Sequence, residues 1–79
     1  MTEKELKNSV AAYSEYLKEE GCHHIIVVCA SDGEKTTTAS VIEGDALCHA
    51  TALLNEPEVL VAMHTAQDVI FNMVKELRK

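Results

Sequence analysis

The amino-acid sequence predicts a small single α+β domain, ordered helix–strand–strand–helix–helix, in which an antiparallel hairpin carries helices on one face. Three observations lead there. Residues 3–20 hold Leu6, Val10, Tyr13 and Leu17 at spacings of four, three and four, the repeat of an amphipathic helix. Residues 23–42 hold two β-favouring runs on either side of Asp32-Gly33, a strong signal for a two-residue hairpin turn. Residues 56–78 return to helical spacing, with Val59, Met63, Ala66, Ile70, Met73 and Leu77 in an unbroken alternation. At 79 residues the chain, 1–79, has room for one domain.

Each element has local support. Thr2 can cap the first helix, acids occupy its first turn, and Gly21 suits the left-handed position just past its end. Strands over 23–31 and 34–42, joined by a type I′ turn, would pair Ser31 with Glu34, Cys29 with Thr36 and Val27 with Thr38. Alternation then defines two faces. One carries His24, Ile26, Val28, Ala30, Thr37, Ala39 and Val41; the other carries His23, Ile25, Val27, Cys29, Thr36, Thr38, Ser40 and Ile42. Gly44-Asp45 ends the hairpin and caps a helix over 46–54. Asn55 is then expected to cap the last helix, with Pro57 tolerated in its first turn and Glu58 three residues on. Ile26, Val28, Ala39 and Val41 are expected to pack on Leu6, Val10, Leu17, Met63, Ile70 and Leu77. Ile70→Ala would then cost ~2–5 kcal/mol.

Composition excludes several classes. The net charge is −6, and the basic residues cluster only at Lys75, Arg78 and Lys79, where cations complement a helix end. No basic stripe is present to neutralise phosphates, so nucleic acid is not an expected partner. The longest apolar run, residues 25–30, falls far short of the ~20 residues that cross a bilayer. The first residues lack the basic and apolar blocks of a secretory signal. Three cysteines with no CxxC spacing do not make a disulfide framework. The expectation is an acidic, cytoplasmic protein without a membrane partner.

The chemistry-bearing residues do not meet locally. His23 and Cys29 share a strand face but lie about 20 Å apart. Cys48 and His49 are helix neighbours that project in different directions. No nucleophile–base pair follows, so the chain is read as no enzyme, with no catalytic residue at Cys22, Cys29 or Cys48. Cys22 and His24 from the strand, with Asp45, Cys48 and His49 from the following helix, are metal-ligating types. They lack paired ligand spacing, so no metal site and no cofactor are expected. His23 and His24 read as polar strand ends, and Cys29 and Cys48 as small buried hydrophobes. His64 and Asp68 read as a solvated pair four residues apart. No glycine-rich phosphate loop is present.

Function is expected from the second hairpin face. A strand containing Ile25-Ile26-Val27-Val28 seeks cover on both sides, and the chain's helices supply one side. Ile25, Val27, Cys29, Thr36, Thr38 and Ile42 are therefore the expected interface of a homo-oligomer, most simply a dimer. The chain reads as a non-enzymatic interaction or regulatory module, open to a further protein partner. The alternative is a small ligand- or metal-binding protein that uses Cys/His residues near the hairpin and second helix.

Overall fold

In the computed structural model, which describes residues 1–78, Thr2 starts the first helix through a reciprocal capping box. Its Oγ1 accepts the Glu5 N–H at 3.1 Å, and its own N–H donates to Glu5 Oε1 at 3.2 Å. Two otherwise orphaned donors are thereby satisfied. The helix, α1 (Glu3–Glu19), ends in a left-handed cap. Gly21, at φ 77°, donates its N–H to the Lys18 carbonyl at 3.0 Å, and Cys22 donates to the Leu17 carbonyl at 2.9 Å. This is the paired bonding of a Schellman motif, and its positive φ favours glycine.

Strands β1 (His24–Ser31) and β2 (Thr36–Glu43) pair antiparallel, as expected, but in a different register. Ser31 faces Thr36, Cys29 faces Thr38 and Val27 faces Ser40. The connection is a four-residue loop, not a type I′ turn. Asp32 keeps negative φ, and only Gly33 in the loop is positive, at 97°. The cause is the Asp32 carboxylate, whose Oδ1 accepts the N–H of Glu34 at 3.0 Å and of Lys35 at 2.8 Å. Its backbone N–H donates to the Lys35 carbonyl at 3.2 Å. The register is displaced by two residues, an even number, so every side chain keeps its expected face.

The described residues fall into two compact units, one of residues 1–49 and one from residue 50 onward. In the first, α1 packs chiefly over β2. Its core gathers Leu6, Val10 and Ala39, with Ile26, Val28, Ala30 and Val41 packed around them. The buried stripe of α1 continues through Ser14, not Tyr13. Leu6, Val10 and Ser14 follow an i, i+4, i+8 line. Tyr13 lies off that line, 59% exposed, with its ring 6.3 Å from that of Tyr16.

Helix α2 (Ala46–Asn55) crosses the boundary between the units, and α3 (Pro57–Leu77) lies in the second. Asn55 does not cap α3: its Nδ2 donates back to the Thr51 carbonyl at 3.0 Å, and Glu56 takes the cap position without a side-chain bond. Pro57 fills the first helical position, where its missing N–H costs nothing. Among the described residues of α3 none is buried. Met63, Ile70 and Leu77, expected in the core, are all exposed here, Ile70 by 57%. Periodicity identifies the face that seeks cover without identifying what covers it. Lys79, from the basic cluster, lies outside the described residues. Among them, no helix is long and apolar enough to cross a membrane.

The core assignment makes a direct test. Leu6→Ala should lower unfolding free energy by ~2–5 kcal/mol in urea denaturation, whereas Tyr13→Ala should change it by less than about 1 kcal/mol. A Tyr13→Ala penalty as large as that of Leu6→Ala would return Tyr13 to the core.

Candidate functional site

The outer face of the hairpin is the one α1 does not cover. Val27 is 74% exposed, Ile42 68% and Ile25 45%, and Ile25 pairs directly with Ile42. Cys29 and Thr38, also paired, are both exposed, as is Thr36 opposite Ser31. All six residues expected to form an interface thus lie on one face, and none of them carries a charge. Cys29 is consequently not the small buried hydrophobe that its residue type suggested.

Behind the opposite face sits a polar pair that sequence reasoning missed. His24 is buried rather than a polar strand end. Its Nδ1–H donates to the Cys22 carbonyl at 3.0 Å. A carbonyl can only accept, so Nδ1 carries a proton, and in the neutral ring Nε2 is then the acceptor for the Ser14 hydroxyl 2.6 Å away. Oriented imidazole and hydroxyl have the arrangement of a nucleophile and its base. Ser14, however, is only 4% exposed, so the pair serves to satisfy buried polar atoms. The signal was present as a serine four residues beyond Val10 and a histidine on the inner strand face.

At the open end of the hairpin, three metal-ligating side chains meet. One ligand atom each from His23, Asp45 and Cys48 lies within 4.8 Å of the others. The observed register causes this meeting: with His24 opposite Glu43, His23 comes beside Gly44 and Asp45. Asp45 caps α2, its Oδ1 accepting the Cys48 N–H at 2.8 Å, while its own N–H donates to His23 Nδ1 at 3.1 Å. A Cβ on Gly44, whose φ is 103°, would lie 2.6 Å from His23 Cβ and 2.7 Å from Cγ and would also strike Nδ1. Only glycine permits this approach. His49 is not part of the cluster; its Nε2–H donates to the Glu43 carbonyl at 2.7 Å. His24 is engaged in the core, and Cys22 is exposed outside the cluster.

Electrostatics couple the cluster. The Cys48 N–H and thiol, both donating to Asp45, hold its carboxyl below the ordinary range, helped by the nearby His23 and His49. The same bond to Asp45 pushes the Cys48 thiol up, with burial and the carboxylate's charge adding to it. This cysteine is a poor thiolate nucleophile. Elsewhere, His64 Nδ1 and Asp68 Oδ2 lie 3.6 Å apart, both well exposed, as a solvated pair on α3.

No family model matches the chain, and no curated protein or solved structure matches it either.

Two outcomes test this geometry. Ser14→Ala leaves His24 Nε2 buried without a donor and should cost ~1–3 kcal/mol in urea denaturation; a parent-like midpoint would contradict the buried pair. Asp32 and Asp45 have carboxyls held low by backbone N–H bonds. Such groups stabilise the fold above their unfolded pKa, and that contribution disappears as pH falls through the lower folded value. The urea midpoint should therefore drop as pH falls below roughly 4, and the drop should be shallower in Asp32→Asn with Asp45→Asn, which retain the acceptor oxygens. An equally steep drop in the double variant would contradict this assignment.

Proposed function

We propose that the chain is a non-enzymatic, homo-oligomeric interaction module whose copies meet through the outer face of the hairpin. The observation that supports this reading is the uncharged face of Ile25, Val27, Cys29, Thr36, Thr38 and Ile42, open on a first unit whose core is small. A two-stranded hairpin is marginal in water, and a chain below about 80 residues gains only ~3–5 kcal/mol from its own core. Oligomerisation adds the missing burial.

The proposed occupant is a second copy, and charge selects the face on which two copies can meet. At −6, two copies repel over most of their surfaces, while this face brings no like charges together. An isologous contact places the same apolar patch on both sides. Exposed strand edges allow the alternative geometry, in which the sheets join edge to edge. The exposed apolar residues of α3, Ile70 and Met73 among them, offer further surface for assembly.

Sedimentation at micromolar concentration should report at least a dimer, and Val27→Lys should dissociate or unfold it. Alkylation gives a second readout that keeps the native sequence. Cys29 should react more slowly than Cys22 in the assembly, although both are exposed in the isolated chain. A stable monomer whose Cys29 reacts as fast as Cys22 would overturn the proposal.

A further inference from the structure

We infer that His23, Asp45 and Cys48 form a binding site for a thiophilic divalent cation of the zinc type, with one coordination position left open. The inference is independent of self-association.

The donor set is one imidazole nitrogen, one carboxylate oxygen and one thiolate sulfur, the ligand types that zinc-like ions accept. Bonds of about 2.0–2.3 Å in a tetrahedron place ligand atoms about 3.3–3.8 Å apart. The three atoms lie within 4.8 Å of one another, so closing on an ion requires them to draw in by about 1 Å. His23 and Asp45 are exposed and Cys48 is half-buried, which leaves the ion a path from solvent.

Contacts outside the donor set hold the ligands in place. Gly44 lets the turn press against the His23 ring, and His49 ties the start of α2 to the Glu43 carbonyl. Asp45 uses Oδ1 as the helix cap and its carboxylate also accepts the Cys48 thiol, so carboxylate and sulfur already face one another. His23 has its lone pair on Nδ1, where it accepts the Asp45 N–H at 3.1 Å, and the ion takes that lone pair over.

The binding step balances without redox chemistry. The Cys48 S–H bond breaks, its proton leaves to solvent, and a sulfur–metal bond forms. The proton now shared between Cys48 and Asp45 is replaced by a cation that both groups bind as anions. Three protein ligands leave a fourth position for water or an external ligand, as in open zinc sites.

Cobalt(II) titration of the reduced full chain, followed by zinc competition, tests the site. The parent should bind one equivalent with a sulfur-to-cobalt charge-transfer band, release one proton from Cys48 and lose the band to zinc. Cys22→Ser and Cys29→Ser should behave like the parent. Cys48→Ser should lose the band, and His23→Ala should weaken binding by at least about tenfold. Asp45→Asn retains a capping oxygen and should also weaken binding, with circular dichroism confirming that each variant is folded. No band in the parent, a parent-like band in Cys48→Ser, or loss of the band in Cys22→Ser would overturn the site.

Discussion

A two-stranded sheet has two faces, and in residues 1–49 a helix covers only one. Leu6 and Val10 of α1 reach Ala39, and the inner residues of both strands gather around them. The outer face then presents Ile25, Val27 and Ile42 at a position where a self-sufficient domain would place charge. Most of the chain's character follows from this imbalance. The inner face accounts for the order within the first unit, and the outer face is the basis of the proposed assembly. Both depend on strand alternation, which separates four consecutive apolar residues into two inward and two outward.

Alternation was legible in the sequence because it does not depend on the turn. Asp32-Gly33 suits a type I′ turn, but it also suits a loop in which the aspartate closes on the N–H groups of Glu34 and Lys35. The second choice displaced the register by two residues and left both faces intact. It was not neutral for the candidate site. In the expected register His23 would lie opposite Ile42, whereas in the observed one it lies beside Gly44 and Asp45. Ligand spacing along the chain could not reveal a cluster whose members meet across the open end of a hairpin.

Helix stripes were legible to within a position. An alternation through Tyr13 scores well on hydrophobicity, yet the buried residue is Ser14, because His24 needs a hydroxyl donor there. A hydrogen-bond requirement of this kind leaves no trace in an apolar pattern. The long repeat of α3 was also legible as a helix, but periodicity alone does not name what covers Met63, Ile70 and Leu77, which are exposed. The polar end of the hairpin shows the same economy as the core. Asp45 serves at once as helix cap, donor to His23 and acceptor for Cys48, so one residue links the sheet to α2.

The concentration dependence of thermal unfolding tests the central claim most directly. An assembly that unfolds to separate chains gains stability by mass action, so its midpoint rises with protein concentration. The parent chain should show such a rise from about 1 to 100 μM, and Val27→Lys should unfold at a lower temperature without it. A parent midpoint that stays constant across that range, with a reversible and cooperative transition, would show that the hairpin's outer face is stable without a second copy and would contradict the account.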